Sequence, residues 1–210
     1  MRLGTLGYYA DFIGAFAFSV LLCVLAMSQD TWLLRVEWLA WFVIGIGLWT
    51  LLEYAVHRWL YHGIGFFIRL HDAHHQEPHV YIGAPPFVGI ALIFVAIYLP
   101  LAFIRETVAS GLTAGVLGGY LTYQLVHHAT HFWQPPRGSY LHRARLNHSA
   151  HHYQRELGNF GITAAFWDRV FGTSIQAGPI RGAGDCRGHL NHRVVPAASR
   201  RWLVLPRHPA

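Results

Sequence analysis

Residues 38–75 read WLAWFVIGIGLWTLLEYAVHRWLYHGIGFFIRLHDAHH, an apolar run that gives way abruptly to histidines. The run over Trp38–Val56 carries no charge before Glu53. At 1.5 Å per helical residue it reaches roughly 28 Å, close to the hydrocarbon thickness of a bilayer. Three further stretches share its character: Tyr9–Met27, Pro85–Ile104 and Val108–Val126. All are apolar around their whole circumference, which a helix half exposed to water is not. Gly45, Gly47, Gly115, Gly118 and Gly119 would weaken a helix in water but suit close packing between helices in lipid. The predicted fold is therefore an all-α integral membrane protein with four transmembrane helices.

Composition narrows the function classes. The chain of 210 residues is 53% hydrophobic and 12% charged, which excludes disorder. Two cysteines, Cys23 in the first run and Cys186 near the end, are too few for a disulfide scaffold or a thiolate zinc site. The net charge of +6 comes from arginine alone, since there is no lysine. The arginines flank apolar runs, so membrane phosphates rather than nucleic acid are the expected partners.

Arg105-Glu106-Thr107 makes runs three and four a tight hairpin, and residues 28–37 join runs one and two. Four spans then place the N-terminus, the segment after run two and everything after run four on one side. That side holds 14 of the 16 arginines, only Arg35 and Arg105 lying opposite. The positive-inside rule puts both termini and nearly all histidines in the cytoplasm. Arginine without lysine suggests a GC-rich bacterial gene, hence a bacterial inner membrane. A cleaved signal peptide is the alternative for the first run, but its length and the single preceding charge, Arg2, favour a mature helix. Residues 1–175 are expected to form one membrane domain, and 176–210 a basic tail rich in Gly, Pro and Arg.

Ten of the 16 histidines fall into four clusters. His57 and His62 end run two, followed by the triplet His71, His74 and His75. His127 and His131 end run four, followed by His148, His151 and His152. Spacings of three and four place side chains on one helical face, so each triplet converges, as does the second pair. His57 and His62 are five apart and meet only if the helix turns or ends near Trp59. The order of pair and then HxxHH triplet occurs twice, which suggests two halves contributing to one site for two metal ions with about five imidazoles each. Neutral imidazole ligates iron, zinc and copper strongly. The histidine-rich helical cap is thus expected to hold a di-metal site on the cytoplasmic side.

Several chemistries lack their residues. Carboxylate-rich di-metal sites use Glu-x-x-His on helices, and zinc proteases use His-Glu-x-x-His; neither pattern occurs. A metal transporter would want ionisable groups at mid-membrane depth, yet Asp11 and Glu53 lie near span ends. A zinc-dependent membrane lipid hydrolase, needing a Lewis acid and an activated water, is the other competitor. A nearly all-nitrogen site at a membrane surface fits O2 activation against a lipid.

These residues resemble the fatty acid hydroxylase and sterol desaturase superfamily of membrane histidine-box di-iron oxygenases. The likeness runs through all four clusters, from Glu53-Tyr54-Ala55-Val56-His57-Arg58 to His148–His152. It continues through Asn159-Phe160-Gly161-Ile162-Thr163 and Phe166-Trp167-Asp168-Arg169-Val170-Phe171-Gly172-Thr173, and covers roughly residues 40–175. Tyr123 before His127 and His131 resembles the fatty acid 2-hydroxylases, although the Asp expected after that Tyr is Gln124. Carotenoid hydroxylases, which share the Glu53–His62 style of first box, and sterol-type desaturases are the alternatives within the superfamily.

The resemblance implies that His57, His62, His71, His74, His75, His127, His131, His148, His151 and His152 hold two iron ions, with zinc a possible replacement on purification. One of the ten, His62 or His71, is expected to stand behind the ligands. It further implies O2 as co-substrate and one oxygen inserted into an unactivated C–H bond of a lipid, most simply a fatty acyl chain. Loss of a second hydrogen would give desaturation instead. Relatives often carry a fused cytochrome b5 domain; this chain has no room for one, so a separate donor of cytochrome b5, ferredoxin or reductase type is expected. No catalytic side chain is singled out beyond the metal site. Glu53 and Asp168 are expected to accept the second N–H of ligating imidazoles, with Tyr123 a supporting neighbour. His79, His128, His142, His189 and His192 are expected outside the site. Arg143 and Arg145 are expected at headgroups or a lipid carboxylate, and Asn159 and Thr163 to shape the turn after the last box.

Overall fold

The computed structural model describes residues 2–28, 30–154 and 157–176. The tail expected over 176–210, with Cys186, His189 and His192, lies outside the described residues beyond Gln176. The described residues are helical apart from connections and a single antiparallel bridge between Arg2 and Ile82.

Helix α1 covers Thr5–Met27 and α2 covers Trp32–Ala55, the latter running on as a π-helical turn over Val56–Tyr61. Thr31 begins α2 by accepting the Leu34 N–H at its side-chain oxygen. Both helices are long and apolar enough to cross a membrane. Their outer faces leave Ile13, Phe16, Leu21, Val24, Val43 and Ile44 exposed, an apolar surface that lipid rather than water would cover. Helix α3 covers Gly65–Gln76.

The third run departs from expectation. Rather than one helix over residues 85–104, it forms α4, Val88–Ile93, a π-helical turn over Phe94–Tyr98, and α5, Leu99–Ala102. Pro100 lacks an N–H and its ring crowds the carbonyl four residues back, so the ladder widens there. Leu99 N–H accordingly bonds to the Phe94 carbonyl, five residues earlier. The combined helix, Val88–Ala102, is shorter than a full span.

Helix α6, Glu106–Phe132, is the central rod of 27 residues. It extends the fourth run past residue 126, so His127 and His131 ride on its last turns. Its buried face is small: Ala109, Ser110, Gly111, Thr113, Ala114 and Gly115. A Cβ on Gly115 would lie 2.1 Å from the Phe42 carbonyl oxygen, and one on Gly45 would lie 2.4 Å from that of Leu112. This crossing admits no side chain. Gly119 abuts Trp49, as expected; Gly47 meets nothing within 4 Å and Gly118 makes only ordinary contact, while Gly111 belongs to the crossing instead. Leu22, Trp38, Ile93, Val116 and Leu117 complete the core.

Helix α7 covers Tyr140–Tyr153, capped by Ser139, whose Oγ accepts the His142 N–H at 3.1 Å, and α8 covers Phe166–Val170. The two ends of the helical bundle are distinct. Arg105 pairs with Glu37 at 2.6 Å at one end. At the other, Arg2 pairs with Glu77 at 2.6 Å and Leu3 N–H bonds to the Tyr81 carbonyl, tying the N-terminal residues to the histidine-bearing cap.

Candidate metal centre

The four clusters arrive from the ends of four helices. The π-helical turn over Val56–Tyr61 resolves the five-residue spacing, because a wider turn followed by chain reversal brings His57 and His62 together, ring centres 5.3 Å apart. On α6 the ordinary spacing of four suffices for His127 and His131, at 4.8 Å. Helices α3 and α7 carry the triplets at their C-terminal ends.

Nine of the ten histidines form two groups whose nitrogens lie within 4.8 Å of one another: His57, His62, His71, His75 and His151, and His74, His131, His148 and His152. His127 adjoins the second, its Nε2 3.2 Å from those of both His74 and His131. His62 and His71 both sit within the first group. The groups cross the sequence repeat. With His127 counted in the second, each contains a pair, the first and third members of its own triplet, and the middle member of the other triplet.

Around these rings lies a frame of carboxylates and backbone. His57 Nδ1 donates to the Phe160 carbonyl at 2.6 Å, and His151 Nδ1 donates to that of Gly158 at 2.8 Å. A carbonyl only accepts, so both rings carry their proton on Nδ1 and their lone pair on Nε2. The carboxylates act one step further back than expected. Glu53, buried, accepts the backbone N–H groups of Ile162 and Thr163 and the Thr163 hydroxyl. Asp168, also buried, accepts the N–H groups of Phe160 and Gly161, each at 2.8 Å, and the Thr173 hydroxyl. They anchor the loop, and the loop's carbonyls orient the imidazoles. That correction has a physical cause: a buried carboxylate needs several donors, and loop amides supply more of them than one ring.

With every ring neutral, protons cannot satisfy the first group. Its Nε2 atoms form a chain of contacts, His57 to His71 at 3.0 Å, His71 to His75 at 3.0 Å and His75 to His151 at 3.1 Å. Each contact needs one donor and one acceptor, so three contacts in line require opposite ends. Both ends, His57 and His151, carry lone pairs. A cation that accepts every lone pair removes the conflict. The spacing agrees, since two nitrogens about 2.1 Å from a common ion and at right angles to each other are about 3.0 Å apart. The residues therefore fit a metal ion.

Electrostatics point the same way. Burial, followed by the neighbouring His151, depresses His74 to about 4 and His75 to about 3. Burial likewise holds His71, His148 and His152 well below the usual imidazole range, reinforced by adjacent histidines. Neutral rings are the form that binds metal.

Against the histidines opens a cavity of about 200 Å³, bordered by His71, His74 and His127. Phe12, Phe67, Leu70 and Ile82 give it apolar walls. Tyr123 lines it too, stacked on His127 with ring centres 5.6 Å apart. Asp11, Tyr120 and Gln124 form its polar corner, the Asp11 carboxylate accepting from the Tyr120 hydroxyl and, at 2.6 Å, from Gln124 Nε2.

The other sequence expectations divide. His79, His128 and His142 lie outside both groups; His128 Nδ1 meets the Tyr8 hydroxyl at 3.1 Å. Arg143 and Arg145 donate to the carbonyls of Gly138 and Trp133, holding the 133–139 loop. Asn159 shapes the turn, at φ 53° and bonded to both backbone groups of Ile175, and Thr163 does so through Glu53. Sequence reasoning did not find the carbonyls of Gly158 and Phe160, since a backbone acceptor has no side-chain signature. Nor did it place Asp11 in the cavity.

With this geometry in hand, comparison with known proteins is specific. The fatty acid hydroxylase family model matches residues 42–173. The chain is 36% identical to the fatty acid 2-hydroxylase of Rattus norvegicus over 149 residues, 64% of this chain and 39% of the relative. It is 31% identical to a dihydroceramide fatty acyl 2-hydroxylase of Arabidopsis thaliana over 140 residues, 61% of this chain and 58% of the relative. The solved structure of full-length scs7p, with only its hydroxylase domain visible, superposes with a TM-score of 0.70 at 26% identity, covering 81% of this chain and 67% of that one. The chain thus spans about two fifths of the length of the rat relative. Its matched segment contains all ten clustered histidines, Glu53 and Asp168, and the chain belongs to the fatty acid hydroxylase family.

Proposed function

We propose that this chain is a membrane lipid hydroxylase in which the ten histidines hold two iron ions, five to each, beside an apolar cavity for a fatty acyl chain. The observation that carries the reading is the pair of converging imidazole groups, one with a hydrogen-bond conflict among neutral rings that a metal ion relieves, both bordering one cavity. Iron bound there supplies O2 activation and oxidation of an unactivated C–H bond. The chain's own residues do the rest. The apolar walls exclude water from the reacting carbon. Glu53 and Asp168 fix the loop whose carbonyls aim His57 and His151. Stacking on His127 holds Tyr123 as a wall.

In this reading α1, α2, the broken α4–α5 helix and α6 constitute the membrane part as four passes, the third of them short. The histidine cap faces the cytoplasm of a bacterial cell, where a separate electron donor docks. The ion pairs at opposite ends of the bundle, Arg2–Glu77 and Arg105–Glu37, support two such distinct faces.

The test is lipid mass spectrometry on cells that express the wild-type chain or His74→Ala, with a reductase partner co-expressed. A lipid heavier by one oxygen atom, present only with the wild type, is expected. Loss of two hydrogens would make the chain a desaturase, and release of free acyl chains would make it a hydrolase.

A further inference from the structure

We infer that Arg58, Tyr54 and Thr173 are positioning residues that set the metal affinity of the first histidine group and leave the second unaffected. The role presupposes the two-ion reading above and names the residues that act on one ion of the pair.

A path of hydrogen bonds starts at a guanidinium with little freedom to move. Arg58 lies 5.8, 5.6 and 5.9 Å from the ring centres of Tyr54, Trp59 and Phe171. Its Nη1 donates to the Tyr54 hydroxyl at 2.7 Å. Arginine only donates, so the tyrosine oxygen accepts there, and its own proton is left for Thr173 Oγ1 at 3.1 Å. Thr173 donates onward to Asp168 Oδ1 at 2.7 Å, the same oxygen that receives the Phe160 N–H at 2.8 Å. The Phe160 carbonyl in turn receives His57 Nδ1 at 2.6 Å. A path that leaves the backbone at Arg58 thus returns to it at the neighbouring His57.

Thr173 also holds the loop through its backbone. Its carbonyl accepts the Asn159 N–H at 2.9 Å, and its N–H donates to the Asp168 carbonyl at 2.8 Å. Asn159 stands between Gly158 and Phe160, the two residues whose carbonyls orient His151 and His57. Gly158 comes so close that a Cβ there would lie 2.3 Å from the Thr173 carbonyl oxygen. A shift of Thr173 therefore moves both carbonyls, and both rings they orient belong to the first group. In the second group, by contrast, the buried Nδ1 atoms of His148 and His152 meet no hydrogen-bond partner among the described residues.

Tyr54 is fully buried, so solvent does not replace its hydroxyl. Its ring stacks on Phe171 with centres 5.1 Å apart. Tyr54→Phe keeps that stack and removes one oxygen, which separates the bond path from the packing.

The test loads the purified full chain in detergent with cobalt(II) and withdraws the metal with a chelator, following the absorption of each bound ion. In Tyr54→Phe one ion should leave at a chelator concentration about tenfold or more lower than in the wild type, with the other ion unchanged. Added to His74→Ala, which leaves the first group intact, Tyr54→Phe should weaken the remaining ion to the same extent. Added to His151→Ala, it should change nothing. Arg58→Met should weaken the same ion, and combining it with Tyr54→Phe should weaken it no further, since both act along one path. Thr173→Val should reproduce Tyr54→Phe, whereas Thr173→Ser, which keeps the hydroxyl, should stay within about threefold of the wild type. Equal weakening of both ions in Tyr54→Phe would mark a packing role and overturn the inference, as would retention of both ions. A wild type that takes up no cobalt would overturn the two-ion reading as well.

Discussion

His74 and His151 exchange places: each is the middle histidine of its HxxHH triplet, and each lies in the group built mainly by the other half of the chain. His74 joins His131, His148 and His152, with His127 alongside, whereas His151 joins His57, His62, His71 and His75. The exchange cross-links the two halves, so neither group can be completed by one half alone.

The metal count follows from that exchange. His74→Ala should lower bound metal from two ions per chain to about one and abolish activity, and His151→Ala should do the same from the other group. His189→Ala should leave both metal and activity in place. Elemental analysis of purified protein, with iron supplied during growth, checks all three.

Glu53→Gln removes the charge that receives two backbone N–H groups and a hydroxyl in a buried setting. Its amide group must also present a donor to donors. Loss of about 1–3 kcal/mol of stability is expected, with weakened metal retention because the loop that orients His57 loosens. Denaturant titration in detergent, paired with metal analysis, reads both effects. Asp168→Asn should behave alike, since its carboxylate holds the adjacent Phe160 and Gly161 amides.

Removal of the metal should itself destabilise the chain. The first group then returns to the conflict among His57, His71, His75 and His151, in which no arrangement of protons on neutral rings satisfies every contact. Chelator treatment should lower the thermal midpoint, and iron should restore it in a concentration-dependent way.

Much of this arrangement was legible in the sequence because histidine spacing reports which side chains share a helical face. The convergence of each triplet and of His127 with His131, and the need for the helix to turn or end near Trp59, follow from spacings of three, four and five; that the helix instead widens over Val56–Tyr61 does not. The exchange of His74 and His151 does not, because spacing fixes a face but not the neighbour it meets. The loop carbonyls of Gly158 and Phe160 carry no side-chain signal, so Glu53 and Asp168 were matched with the imidazoles they support only indirectly. The break before Pro100 in the third run was not read, because hydropathy alone runs through it. Glycines likewise looked equivalent until the helix crossing separated Gly45, Gly111 and Gly115 from Gly47.

The crossing supplies its own check. Gly115→Ala puts a methyl group against the Phe42 carbonyl and should cost about 1–3 kcal/mol, whereas Gly47→Ala meets nothing and should be neutral or slightly stabilising. Unfolding of the two variants in the same detergent separates them.

The central claim is that this chain inserts one oxygen atom from O2 into an acyl chain at the two histidine groups. The most direct measurement supplies isotopically heavy O2 and a reductant to the iron-loaded chain in lipid vesicles and reads the acyl products by mass spectrometry. The account predicts one heavy oxygen in the acyl chain, absent with His74→Ala and with His151→Ala. Acyl product that carries oxygen from water, or product undiminished in both variants, would contradict it.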